Sequence, residues 1–472
     1  MSENNKYDVT SMPLTPRHYW IVFVASLGQL IGTTVATIAG IIIPMINILS
    51  RPELSSFMQG LIGAADLIGI MVGSVLFGRL SDRYGYLLFF RLCPLLVLVA
   101  ALVSVFVPDI WVLVVCLFII GIGIGGEYSL DSNYVSELMP VKWRRVMLGV
   151  TKAASALGNI IGAALALWWV MSDKNAAIWP ELMLIIAGIA LLMLLSRIKF
   201  YESPKWLLDH GQVAKAEKAV HEFLGADVYL STSSPQSDSA GEDVAHQGSV
   251  EHATSESGQK SMGSLAFMRK YFSQVMLSGV PWACEGLGVY GIGVFIPMLV
   301  MALGIEHVSD HMLPILHVAE SIKTTLWISC IILPGFLIGV WLTNKRINIP
   351  RLQSLGFWAC AVTLVLLLVS YHWHWAKWIS LISFMLFELF LNIGPHLVTY
   401  LLPPMIYPVE VRGQGTGIAA AIGKLGAVLA VFLIPILLKL GGAVLVLGVS
   451  AVIMAIGAII TRYYGAKVLP TK

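Results

Sequence analysis

The sequence predicts an all-α membrane protein of twelve transmembrane helices, arranged as two pseudo-symmetric bundles of six. Three observations predict it. Of 472 residues, 57% are hydrophobic and only 12% charged, about half the charged share of a soluble chain, and the apolar residues are spread along the whole length. Hydropathy divides the chain into twelve apolar runs, each near or above the ~20 residues a helix needs to cross the hydrocarbon layer. The second half also repeats the first at one fixed offset, pairing Gly126 with Gly394, Pro140 with Pro408, Arg144 with Arg412, Gly149 with Gly417 and Gly158 with Gly426.

In order, a polar N-tail (1–17) without a signal-peptide pattern precedes six runs at 18–44, 56–79, 87–107, 110–137, 147–171 and 178–198. These make an N-terminal bundle over 18–199. Residues 200–270 form a linker. Its first part, Glu202 to Leu224, has helical spacing and charge, and its later part, Thr232 to Gly263, is rich in Ser, Gly and acidic residues with almost nothing to bury. Six further runs at 272–303, 316–342, 352–372, 376–401, 413–439 and 441–465 make a C-terminal bundle over 271–465, followed by a tail at 466–472. The longer runs must tilt or protrude.

Charge sets the orientation. Of the 30 Lys and Arg residues, only Arg51, Lys174, Lys377 and Lys439 fall in loops on the side away from the termini, and Lys152, Lys323 and Lys424 lie within runs. The excess on the other side predicts a multi-pass plasma (inner) membrane protein with both termini cytoplasmic. The five cysteines all sit in apolar runs without a CxxC pair, so they read as core residues rather than disulfides or metal ligands. Gly121-Ile-Gly-Ile-Gly-Gly126 follows no strand, so it is no dinucleotide site, and no phosphate-binding P-loop is present. No enzyme activity, cofactor, metal or nucleic-acid partner is expected.

The stretch Gly121 to Glu137 is the most informative. Glu127 lies about 15 Å from the basic cluster Lys142, Arg144 and Arg145 at ~1.5 Å per residue, close to the midplane of a ~30 Å slab. A carboxylate there is a functional candidate by default. Asp131 follows four residues later on the same helical face. Two such carboxylates raise each other's proton affinity, which suits a proton carrier, although Asp131 also suits a pairing with loop arginines. Lys424, near the midplane of the eleventh run, wants an anion: the substrate, or Glu388 or Glu285. Lys152 is close enough to the cytoplasmic edge to snorkel. Asp66, Glu285 and Glu388 are comparably deep carboxylates and further candidates for proton coupling. His372 and His374 alternate with Trp373 and Trp375 at an outer edge, which reads as an interfacial belt.

Several motifs carry a resemblance. Gly78-Arg-Leu-Ser-Asp-Arg-Tyr-Gly85, ending at Arg91, resembles the signature cytoplasmic loop of the major facilitator superfamily, with Tyr86-Leu87 where a basic pair is usual. Glu202-Ser-Pro-Lys-Trp-Leu-Leu208 resembles the motif after the sixth helix of sugar-porter-like branches. Gly125-Gly-Glu-Tyr-Ser-Leu-Asp-Ser132, Asn392-Ile-Gly-Pro-His-Leu-Val-Thr399 and Gly423-Lys-Leu-Gly-Ala427 are similar to patterns of phosphate:proton symporters. So are Trp282 and Tyr290, eight apart. The acid expected four after the Trp is Gly286 here, with Glu285 one position early, and the usual acid of the first helix is missing, Thr33, Thr34 and Thr37 being the polar residues nearby.

The resemblance implies two parallel six-helix halves that rock by alternating access. It assigns gating to Gly78, Asp82, Arg83, Gly85 and Arg91, with Arg144 and Arg412 in the repeated Pro-x-x-x-Arg turns. It places Tyr128, Trp282, Tyr290 and His396 beside Lys424 around the substrate. The function expected is proton-coupled uptake of a small anionic metabolite, an organic acid or inorganic phosphate, with Glu127 and Lys424 facing one central chamber. A sugar or polyol carrier and a drug exporter are the alternatives. Partners are the small-molecule substrate, protons and the lipid bilayer, and a monomer suffices.

Overall fold

The computed structural model describes residues 7–8, 12–50, 53–224, 228–229, 264–304, 313–345, 347–407 and 412–469. The Ser- and Gly-rich stretch 232–263 lies outside them, as do the chain ends of both tails.

Among the described residues, ten helices are long and apolar enough to cross a membrane, and a bent pair, Phe272–Ile292 with Ile296–Ala302, makes an eleventh crossing. The last of the ten, Arg412–Val468, leaves helical geometry at Gly441 and Gly442 and holds two crossings. Twelve spans result, in the order read from hydropathy. Spans one to five are Pro16–Leu49, Ser56–Tyr84, Tyr86–Phe106, Ile110–Leu138 and Val141–Asp173. Span six is Ala176–Ser196 and span seven the bent pair. Spans eight, nine and ten are Pro314–Thr343, Ile349–His372 and Lys377–Leu401. Spans eleven and twelve are the two limbs of Arg412–Val468. A parallel pairing of Tyr7–Asp8 with Val228–Tyr229 is the only strand among the described residues.

Local sequence sets the ends. The Asp109 carboxylate accepts from the amides of Trp111 and Val112 and starts span four. Asn348 accepts from the Arg351 amide to start span nine, and Pro16 and Pro314 open spans one and eight, where a missing amide proton costs nothing. Spans two and three are joined through Gly85 alone, at φ 90°, a backbone state that excludes most side chains. The Glu202 carboxylate sits where a Gly85 side chain would be. It accepts from the amides of Tyr86 at 2.7 Å and Leu87 at 3.0 Å, so the acidic residue of the second motif caps the helix that follows the first.

The two halves meet closely at the end of the bundle away from both termini. A side chain on Gly40 of span one would collide with the Val294 carbonyl of span seven. Beside it, Phe432 of span eleven packs on Gly60 of span two. Nearer the termini, Ala153 and Ala156 of span five pack against Ile332, Phe336 and Leu397. Outward faces carry exposed apolar side chains such as Trp168, Trp327, Leu355 and Val362, which suits a hydrocarbon solvent in which every backbone polar group is paired within its helix.

Candidate functional site

Midway along the bundle, spans one, five, seven, eight and ten enclose a cavity with an empty volume of about 570 Å³, its mouth included. Thr37 and Asn159 come from the N-terminal half, and Tyr290, Thr325, Glu388 and His396 from the C-terminal half.

A polar chain runs across the middle of the molecule. Lys424 Nζ donates to the Tyr290 hydroxyl at 2.9 Å, and the hydroxyls of Tyr290 and Tyr128 lie close enough to influence each other. The Tyr128 ring stands between two lysines from opposite halves, Lys152 Nζ 5.8 Å and Lys424 Nζ 5.6 Å from its centre, within the reach of cation–π attraction. Lys152 also donates to Gln29 of span one at 3.4 Å, so it does not snorkel out of the bundle. Both lysines lie close enough to Glu285 and His396 for their charges to be felt there. Glu285 Oε1 is 3.7 Å from His396 Nε2, His396 Nδ1 bonds Asn392 Oδ1 at 2.9 Å, and the Asn392 amide donates to the Glu388 backbone at 2.8 Å and its carboxylate at 3.5 Å. Because Asn392 Oδ1 can only accept, the Nδ1 proton is fixed and Nε2 is the position that gains or loses one. Asp66, 1% exposed, accepts from the Leu67 amide with one oxygen, and its other oxygen has no partner among the described residues.

Helix geometry decides which residues join this chain. Tyr128 and Glu127 are neighbours in sequence and so point about 100° apart around span four. Tyr128 turns to the lysines. Glu127 and Asp131 turn the other way, onto Arg197 at the end of span six. Arg197 Nη1 donates to Glu127 at 2.8 Å and to the Phe90 carbonyl at 3.1 Å, and Nη2 donates to Asp131 at 3.1 Å. All three are buried. The expectation that Glu127 and Lys424 share one chamber is therefore corrected: neither Glu127 nor Asp131 lines the cavity, and Lys424 and Tyr128 do not line it either, Lys424 reaching its wall only through Tyr290. Arg197 was missed because it reads as one more flanking charge. The signal available was the acid pair itself, since two buried carboxylates one turn apart require a cation, and the forked guanidinium serves two at once.

The family model for sugar (and other) transporters matches residues 2–465. The chain belongs to that family. It is similar to the inner membrane metabolite transport protein YgcS of Escherichia coli, 26% identical over 428 residues that cover 90% of this chain and 87% of the relative. It is also similar to the niacin transporter NiaP of Acinetobacter baylyi, 25% identical over 89% of this chain and 88% of the relative. A repressible high-affinity phosphate permease of Neurospora crassa is 24% identical over 76% of this chain and 67% of its own length. Among solved structures, the xylose transporter XylE from E. coli in a partially occluded inward open conformation superposes with a TM-score of 0.73, at 19% identity, covering 95% of this chain and 98% of that one. The protein is a multi-pass membrane transporter of small molecules, of the major facilitator fold, and not an enzyme.

In this transporter the remaining candidates fall as follows. Trp282 packs its ring on Gly423 of span eleven and is absent from the cavity wall. Gly286, where an acid is usual in the phosphate symporters, faces the backbone of span eleven, with Ala427 N 3.0 Å from a side-chain position. A side chain there requires span eleven to give by a few tenths of an ångström. Glu285 stands one place earlier, directly before the π-helical turn Leu287–Ile292, the kind of helix irregularity that gathers at functional sites. Of the gating set, Arg91 donates to the Ile198 carbonyl at 3.3 Å and Arg144 to the Met139 carbonyl at 3.5 Å. The side chains of Asp82, Arg83 and Arg412, and the surroundings of Gly78, lie outside the described residues.

Proposed function

We propose that this transporter carries a small anionic metabolite, an organic acid before inorganic phosphate, inward together with a proton, as a monomer in the plasma (inner) membrane with both termini cytoplasmic. The observation that carries the reading is Lys424. The one charged or polar side chain between Ile418 and Leu438 of span eleven, it is held by Tyr290 and faces Tyr128. A lysine at this depth needs an anion, and Asp66 and Glu285, whose charges reach it, are released from that duty when an anionic substrate arrives. Either acid then accepts a proton, which couples substrate to proton. Because the cavity is walled by both halves, a substrate touching both favours the occluded arrangement over either open one, which differential affinity requires. A neutral sugar is the second reading, favoured by the hydroxyl groups of the wall, but it releases neither Asp66 nor Glu285 from the lysines and so gives a proton no reason to bind with it. A cationic drug leaves both lysines opposed.

Reconstituted vesicles with an imposed pH gradient test the proposal. Uptake of an organic acid rises with an inward proton gradient and collapses with a protonophore. Uptake indifferent to both removes the coupling.

A further inference from the structure

The hydrogen-bonding groups of the cavity wall are strongly biased. A hydroxyl has one proton to give and two lone pairs to offer. In the cavity, Thr37 gives its one proton to the Thr33 carbonyl or to Asn159 Oδ1 of span five, Ser155 to the Lys152 carbonyl, and Thr325 to the Ser321 carbonyl at 2.7 Å. The bonds to Thr33, Lys152 and Ser321 reach back to the preceding helical turn and are available whether or not a ligand is present. What such side chains present to the cavity is lone pairs. Glu388, 4% exposed, adds Oε1, which has no partner among the described residues. Against these acceptors stand few donors: the Asn159 amide, the Ser329 hydroxyl, and the Tyr290 hydroxyl, which accepts from Lys424 and has its own proton to give. The cations act on one side of the wall: Lys424 reaches it through Tyr290, and the charges of Lys152 and Lys424 are felt at Glu285 and His396, while the side-chain partner of Glu388 is Asn392.

Each ligand chemistry meets this wall differently. A bare carboxylate or phosphate offers only acceptors and meets lone pairs over most of the surface. An ammonium offers only donors and leaves Asn159 and Ser329 unmatched. A hydroxyl does both, giving its proton to Thr37, Thr325 or Glu388 and receiving one from Asn159 or Ser329. Resting on the anionic reading above, we infer that the substrate is a polyhydroxylated carboxylic acid, its hydroxyl-bearing chain laid against Thr37, Thr325 and Glu388 and its carboxylate turned to Tyr290 and Lys424. Thr37 belongs to span one and Thr325 to span eight, so the hydroxyl chain bridges the halves while the carboxylate answers the charge.

The experiment is a binding panel on the purified full-length transporter with D-gluconate, n-hexanoate, D-glucose and inorganic phosphate. The probes separate hydroxyls from charge at nearly constant length. D-gluconate binds at least about tenfold tighter than n-hexanoate or D-glucose, two hydrogen bonds at ~1 kcal/mol each being sufficient. A Thr37→Val, Thr325→Val double variant keeps the shape, brings D-gluconate down to the level of n-hexanoate, and leaves n-hexanoate unchanged. Thermal unfolding of that variant at the wild-type temperature shows that the wall is intact. Equal or tighter binding of n-hexanoate or phosphate overturns the hydroxyl inference and leaves the anionic reading standing. D-glucose bound tighter than either acid overturns the anionic reading itself. A panel in which nothing binds overturns the hydroxyl inference, with vesicle uptake of other anions still deciding the anionic one.

Discussion

Lys424 of span eleven and Tyr290 of span seven are joined by a 2.9 Å hydrogen bond in the middle of the bundle. The phenol cannot neutralise the ammonium, so the pair holds a directed positive charge beside the cavity that Tyr290 lines. Replacing Lys424 with Ala lowers binding of the transported anion tenfold or more, about 1.4 kcal/mol, as read by titration of the purified protein. Tyr290→Phe keeps the charge, loses its anchor and costs less. Wild-type uptake by Lys424→Ala removes the assigned contact.

Arg197 predicts a stability effect. Its removal leaves Glu127 and Asp131 buried without their cation, and breaking a buried pair from one side costs about 3–5 kcal/mol. Arg197→Met unfolds in detergent well below the wild-type temperature. Glu127→Gln and Asp131→Asn added to Arg197→Met recover most of the loss, because no uncompensated charge remains. A single Arg197→Met variant as stable as the wild type contradicts the assignment.

Glu285 predicts a change in coupling. With Gln in its place, nothing opposite His396 can hold an acidic proton, so uptake no longer responds to an imposed pH gradient while exchange of substrate for substrate continues. Loss of exchange together with gradient-driven uptake points instead to a binding or folding role. Asp66→Asn is the parallel experiment for span two.

Glu202 predicts a local effect on the joint between spans two and three. Its carboxylate caps span three through Tyr86 and Leu87, and a lost cap costs about 1 kcal/mol. Glu202→Ala lowers thermal stability by a few degrees. Gly85→Val combines a positive φ with a collision against Glu202 and lowers it further, as scanning fluorimetry would show.

Gly40 predicts a block in the cycle. Its missing side chain lets span one reach the Val294 carbonyl, so Gly40→Leu holds the two halves apart at the end away from the termini. Substrate binding survives and net uptake stops. Uptake at the wild-type rate shows that this contact does not close the transporter.

Chain topology and charge pairing were legible to different degrees. The twelve crossings follow from hydropathy because each span must be apolar along its own length, a property that neighbouring residues decide. The glycine joint between spans two and three at Gly85 is legible for the same reason, whereas the break in the tenth span between Ile393 and Pro395 was not read. The partner of Glu127 was not legible. Arg197 is 70 residues away, and nothing local says that the ends of spans four and six converge. The place of Glu285 was half legible. The departure by one position from the resembling pattern was visible, but that Gly286 is crowded by Ala427 is a matter of packing between two spans.

By itself the sequence determined that the chain crosses the bilayer twelve times as two repeated halves, and which few ionisable groups lie deep in it, since burial depth is set by position within an apolar run. Only the tertiary structure decided which of those groups meet: Lys424 with Tyr290 at the cavity, and Glu127 with Arg197 outside it. The reason is the rotation of one residue to the next around a helix. A turn of about 100° sends Tyr128 to Lys152 and Lys424 and Glu127 to Arg197, and the packing of the spans, not the order of residues, fixes which way each face looks.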